Sequence, residues 1–224
     1  MYLASRSPQR QAILEALGID FKVVPPHYEE KDPPGLTPAE LVERHSHGKA
    51  LSVIPALESL DPGRPVLGVD TLVAAGGEVM GKAATEDEAA AFLERLSGQT
   101  HEVLSGVTLV AAGVQGVAPA GSAQGAPPDL RKHGEAELPG ANVQTAHAVT
   151  EVRFSRLSEP EMEAYIVTGE WRERAGAYAI QGRAAAFVES VRGDYTNVVG
   201  LPVSLLVQML KNSGFWPPAT WRRP

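Results

Sequence analysis

The sequence predicts an α/β fold, a mixed, twisted sheet with flanking helices, and three observations predict it. Short apolar runs alternate with stretches that open on helix caps, a glycine pair turns one apolar run straight back into another, and no segment repeats. The first run, YLAS (2–5), reads as a strand. Ser7 and Pro8 then read as the N-cap and first residue of a helix that carries Ile13, Leu14 and Leu17 and stops at Gly18. FKVVP (21–25) is the next strand, and Thr37-Pro38-Ala39-Glu40 is a capping box opening a helix through Leu41 to Lys49. PVLGVDTLVAA (65–75) is an apolar strand interrupted by Asp70 and Thr71, and Gly76-Gly77 folds it back into EVMGK as a hairpin.

Thr85 to Glu88 forms a second capping box, for a helix that ends near Gly98 after Phe92, Leu93 and Leu96. HEVLSGVTLVAA (101–112) is a long strand, and AHAVTEVRFS (146–155) is its partner. Between them, residues 113–145 are rich in Gly, Pro and Ala with neither period, and read as a mobile loop. Ser158-x-x-Glu161 caps a helix through Tyr165, AAAFVESV (184–191) reads as a strand, and PVSLLVQMLKNSG (202–214) is the closing helix. Residues 1–214 are expected to form a single domain, with room for two lobes, and 215–224 a frayed tail.

Composition narrows the function. With 224 residues, 43% of them hydrophobic, the chain can build one sizeable core. A net charge of −7 argues against stable nucleic-acid binding or adhesion to an acidic membrane, while leaving room for a local basic pocket. The absence of cysteine excludes disulfides, thiolate nucleophiles and cysteine-held zinc. No run approaches the roughly 20 apolar residues that span a bilayer, and the start MYLASRSPQR lacks a signal peptide's apolar core, so a cytoplasmic location is expected. A homodimer is compatible with all of this.

Several stretches could carry chemistry. GGEVMGKA (76–83) matches the phosphate-binding pattern G-x-x-x-x-G-K-[ST] until Ala83, and its glycines turn strand into strand where that motif needs a strand followed by a helix. Asp70 is an acid inside VLGVDTLV, and it reads either as a core aspartate satisfied by amides or as a metal ligand or general base. The loop ASRSPQR gathers Ser5, Arg6, Ser7 and Arg10 at a helix N-terminus, a combination that binds anions. With Lys49 and Lys82 added, the set suggests a polyphosphate and its metal. Glu29 and Glu30 could hold a divalent ion or form a solvated turn. His45-Ser46-His47 lacks the H-E-x-x-H spacing and reads as an exposed helix face, and Ser105-Gly106 lacks the glycine that would make a nucleophile elbow. AGAYAIQGRA (175–184) packs glycines around Tyr178 and Gln181, either to admit a flat ligand or to make a tight turn.

Taken together, LASRSPQRQAILEALGIDFKVVP, VLGVDTLV with the following GK, LSGQTHEVLSGV and AGAYAIQGRAAAFVESVRGDYTNVVGLP resemble, in order, the blocks of the Maf family of septum-formation-associated nucleotide pyrophosphatases. The resemblance runs from Met1 to Gly214 apart from 113–145. It implies a hydrolase that uses Mg²⁺ or Mn²⁺ to split a nucleoside triphosphate into monophosphate and pyrophosphate, on the fold shared with inosine triphosphate pyrophosphatases. Carried over by position, Asp70 matches the proton acceptor, Ser5, Lys49 and Lys82 the polar and basic cleft residues, and Glu30 the acid after the second strand. Glu30 and Asp70 would then hold the metal, with Lys49, Lys82 and Arg10 or Arg6 against the phosphates. Arg10, Thr71 and Gln181 match positions that mark the dTTP and UTP branch. The family usually has two adjacent arginines after the serine-proline, where this chain has Gln9-Arg10, and Arg174 stands where lysine is common. The cellular roles implied are limiting the incorporation of modified nucleotides and a link to cell division arrest. A nucleotide-binding regulator of division without turnover, with Gln9 as the lesion, is the second reading.

Overall fold

The computed structural model describes residues 1–57, 63–112 and 141–221. Its strands are β1 (Tyr2–Ala4), β2 (Lys22–Val23), β3 (Val66–Ala75), β4 (Glu78–Met80), β5 (Thr100–Ala112), β6 (Ala141–Phe154) and β7 (Val188–Arg192). Its helices are α1 (Pro8–Ala16), α2 (Pro38–Ser52), α3 (Glu86–Leu96), α4 (Glu159–Val167), α5 (Tyr195–Val199) and α6 (Val203–Asn212). Among the described residues the strands form one sheet ordered β2-β1-β3-β5-β6-β7, with β4 paired to β3. β1 runs parallel to β2 and β3, whereas β4 is antiparallel to β3 and β7 to β6, so the sheet is mixed as expected.

The helix starts follow their capping residues. Ser7 caps α1 with Pro8 behind it, and Leu17 is followed by Gly18 at φ 65°. Thr37 and Glu40 exchange both bonds of a capping box on α2. At α3 only half of the expected box forms. Thr85 accepts from Glu88 N, but the Glu88 carboxylate reaches one residue further back, to Ala84 N. Gly76 and Gly77 take φ of 58° and 84°, the two left-handed positions of a type I′ hairpin, so the near-match to a phosphate loop is a strand turn.

Four boundaries differ from expectation. β2 is two residues long, because its neighbour β1 has only three to pair with it. β6 starts at Ala141, so 141–145 of the expected loop is strand, and 113–140 lies outside the described residues. The run AAAF is a 3₁₀ turn (Arg183–Phe187), and β7 begins only at Val188. An apolar run of that length has no period to separate the two states. The tail is ordered through Trp221: Thr220 Oγ1 donates to Gly18 O at 2.6 Å, and Trp216 and Trp221 meet edge to face. Residues 222–224 lie outside the described residues.

The chain divides into two compact units. The first comprises 1–70, 106–147 and 204–224, the second 71–105 and 148–203. In the first, Tyr2, Ala4, Ala50, Val53, Val66 and Val110 form a core on which α2 rests. Here α2 meets strand backbone directly. A Cβ at Gly68 would collide with the carbonyl of Ser46 and come within 2.8 Å of Ala50 N and Cβ, and one at Gly106 would collide with the carbonyl of Val42. Val42, Ser46 and Ala50 are spaced four apart, one stripe of the helix, so two glycines on two strands seat a single face of α2. In the second unit, α3 and α4 pack on Phe154, Trp171, Tyr178 and Phe187.

Gly68→Ala should therefore cost about 3 kcal/mol, since a methyl group would have to push helix backbone and not a flexible side chain. Urea unfolding of the variant beside Gly76→Ala, whose added Cβ meets nothing within 4 Å, separates this collision from loss of glycine's conformational freedom.

Candidate active site

In the first unit, β1 leads into α1 through the loop 5–7, and its polar groups turn inward. Ser5 is buried, and its Oγ accepts from Ser7 N at 3.2 Å and from Arg10 Nη1 at 2.9 Å. Arg10 itself is only 9% exposed. Burial lowers its pKa, and the carboxylates of Asp70 and Glu30 oppose that shift. Gln9 accepts from Ser7 Oγ at 3.0 Å, so the residue that departs from the two-arginine pattern is engaged in the helix cap. Arg6 is exposed.

β3 brings Asp70 beneath α2. Gly68 and Asp70 are two apart and share one face of the strand, the face that α2 covers. Lys49, one residue before Ala50 on that helix, accordingly donates from Nζ to Asp70 Oδ1 at 2.6 Å. The same ammonium lies 2.7 Å from Glu30 Oε1. Lys49 and Asp70 side chains are 12% and 11% exposed and Glu30 is 53%, so the triplet is buried at one end and open at the other. The position between the two carboxylates is filled by the Lys49 ammonium, which leaves Glu30 Oε2 and Asp70 Oδ2 as the oxygens open to a further cation. Among the described residues no group of three or more His, Asp or Glu forms a metal cage by itself.

Thr71, Lys82 and Gln181 belong to the second unit. Thr71 Oγ1 lies 2.8 Å from Ser105 Oγ and 3.4 Å from Gly200 O. Lys82 is exposed and pairs with Glu173 at 2.7 Å, on a segment that bridges Ala175, while Gly176 N donates to Gly81 O. Glu173 and Ala177 adopt φ of 59° and 56°, left-handed values that non-glycine residues hold only when their surroundings impose them. The turn that follows is held by side chains. Tyr178 Oη lies 2.9 Å from His101 Nε2, Ala179 N donates to Tyr165 Oη at 3.0 Å, and Arg183 N donates to Glu170 Oε2 at 2.8 Å. Gln181 stands exposed on that turn.

The structure thus brings Ser5, Arg10, Glu30, Lys49 and Asp70 together, and gives Thr71, Lys82 and Gln181 separate environments. Two histidines were misjudged or passed over. His45, expected on an exposed helix face, is buried, bonded to Tyr28 and Asp32. Its partners lie in an irregular segment that local spacing does not place. His101 was read only as part of a strand. It is buried between Phe154 and Tyr178, and its Nδ1 has no partner among the described residues.

Compared with known proteins, residues 1–213 match the family model described as Maf-like protein. A dTTP/UTP pyrophosphatase of Symbiobacterium thermophilum is 43% identical over 215 residues, 96% of this chain and 94% of that one. A dTTP/UTP pyrophosphatase of Pelotomaculum thermopropionicum is 40% identical over 213 residues, covering 95% and 96%. Among solved structures, a dITP/XTP pyrophosphatase from Mycobacterium abscessus aligns over 94% of this chain and 96% of its own, at 12% identity and a TM-score of 0.36.

Burial pushes the pKa of His101 down to about 4 from an ordinary 6.5. Because the folded value is depressed, the unfolded chain binds the extra proton first. The stability that a neutral His101 confers is complete above about pH 6.5 and is lost as pH falls toward 4, by about 3 kcal/mol. Urea unfolding at pH 7 and pH 4.5 should show this fall, with a shallower slope in His101→Gln.

Proposed function

The chain belongs to the Maf family, and from that premise we propose that it is a nucleoside triphosphate pyrophosphatase, hydrolysing dTTP and UTP to the monophosphate and pyrophosphate. The observation that carries this reading is the near full-length identity to proteins named for that activity. The cluster of Ser5, Arg10, Lys49 and Asp70, buried, with Glu30 at its open end, supplies the chemistry. Arg10, fixed by Ser5, presents a guanidinium fork to phosphate oxygens. Ser5 accepts from two donors and has its own hydrogen to give to a phosphate oxygen. Glu30 and Asp70 are the residues that would hold Mg²⁺ or Mn²⁺, and the ion would neutralise charge on the phosphates when bound.

Proton handling falls to Asp70. With Oδ1 accepting from Lys49, Oδ2 takes the proton of the water that attacks in line. Lys49 keeps the two carboxylates from repelling each other and the incoming phosphate. Arg6, exposed on the loop before α1, is free to follow the departing pyrophosphate. Base choice goes to Gln181, whose amide can accept from N3–H and donate to O4 in uracil and thymine alike. Cytosine reverses that edge, and sites reject such polar mismatches strongly. Arg10 and Thr71 are the other two residues that mark this branch. A nucleotide binder without turnover is the weaker reading, since the departure at Gln9 is absorbed by the helix cap and Arg10 stays in place.

Two measurements test this. Asp70→Asn should lower kcat for pyrophosphate release from UTP by about 100-fold or more while leaving the circular dichroism unchanged, and a near wild-type rate would make Asp70 structural. Across a panel of triphosphates with Mg²⁺ or Mn²⁺, kcat/KM should favour UTP and dTTP over CTP, ATP and GTP. Gln181→Glu should narrow that preference, because a carboxylate cannot donate to O4.

A further inference from the structure

Residues 24–33 have no regular secondary structure, yet they deliver Glu30 to 2.7 Å from Lys49. One imidazole holds them from both sides of that residue. His45 Nδ1 lies 3.1 Å from Tyr28 Oη, and its Nε2 lies 2.8 Å from Asp32 Oδ1. Tyr28 and Asp32 stand two residues to either side of Glu30, so both nitrogens of one ring grip the flanks of the residue between them. His45 and Lys49 are one turn apart on α2, which places the holder and the target of Glu30 on one helix face.

The proton positions follow from the partners. A carboxylate only accepts, so Nε2 carries the hydrogen toward Asp32. With that hydrogen on Nε2, Nδ1 of the neutral ring is left to accept, and the Tyr28 phenol donates to it. The neutral ring satisfies both contacts at once. Tyr28 has a third point of support, because its ring lies against Gly48, where a Cβ would come within 2.6 Å of Cδ2.

We propose that His45 is a positioning residue for the reaction, acting through Glu30 by stapling residues 28–32 onto α2. The proposal rests on the reading of Glu30, Lys49 and Asp70 as the reacting centre. A buried histidine bonded at both nitrogens is also an ordinary anchor, and an anchor alone predicts lost stability with the chemistry of the folded fraction intact. A positioning role predicts lost kcat, since a carboxylate displaced by about 1 Å can cost up to 100-fold.

The test is a double-mutant cycle on dTTP hydrolysis, run well below the melting temperature of every variant, joined to amide hydrogen exchange. Glu30→Gln is expected to lower kcat at least tenfold. His45→Ala is expected to lower kcat about tenfold with KM changed less than threefold, and the double variant to be no slower than Glu30→Gln within twofold. His45→Asn sets an amide near the Nδ1 position and His45→Gln near Nε2, so each keeps one contact and should lose less. They also serve if His45→Ala does not fold. Amides of 28–32 should exchange faster in the His45 variants, with those of α1 unchanged. Multiplicative losses in the double variant, or wild-type kcat in folded His45 variants, overturn the proposal. If Glu30→Gln keeps wild-type kcat, the reading of the reacting centre fails, and the exchange decides the staple alone: faster exchange supports it, and unchanged protection of 28–32 overturns it.

Discussion

The contact of α2 backbone with Gly68 and Gly106 is the constraint on which the first unit depends. Side chains at those positions would lift the helix off β3 and β5, and everything that α2 carries would move with it. Lys49 would lose Asp70, Ser46 would lose its 3.0 Å contact with Thr108, and Glu43 its 2.7 Å contact with His147. Close seating also explains why so many polar side chains of this helix are buried. Glu43, His45 and Ser46 all face protein, and each has a partner there, as buried polar groups require. The helix is thus a carrier of polar groups on a seat made for backbone.

The second unit holds its functional candidate by a different device. The turn after α4 contains two residues in left-handed backbone, and it persists because Tyr165, Glu170 and His101 tie its atoms down. The buried hydroxyls are correspondingly hard to ionise. Burial moves the Tyr165 phenol up to about 12, and Tyr178 is pushed up as well. Both therefore stay neutral hydrogen-bonding groups through neutral and mildly alkaline pH. An exposed glutamine on a strained, multiply anchored turn is positioned by its backbone, with little left to side-chain packing.

Most of the elements were legible because their signals are local. Ser7-Pro8, the Thr37 box and the Gly76-Gly77 pair each fix a backbone conformation within four residues. The buried acid was legible too, since an aspartate within VLGVDTLV has few alternatives. Its partner was another matter: Lys49 lies 21 residues away and meets Asp70 only because a strand and a helix pack. The resemblance named Lys49, Glu30 and Arg10, but physical spacing alone would not have joined them. Long-range closure also hid the burial of His45 and the pairing of Lys82 with Glu173, 91 residues apart. The 3₁₀ turn at Arg183–Phe187 was missed for the opposite reason, a local signal compatible with two states.

An ammonium already gripped by two carboxylates is poor bait for a stray anion. Lys49 and Arg10 are countered by Glu30 and Asp70, so the cluster is close to neutral at rest, within a chain whose net charge is −7. Within these four residues no positive charge is left over. Each pair must loosen before its cation can turn to another partner, so the four charges hold one another in register.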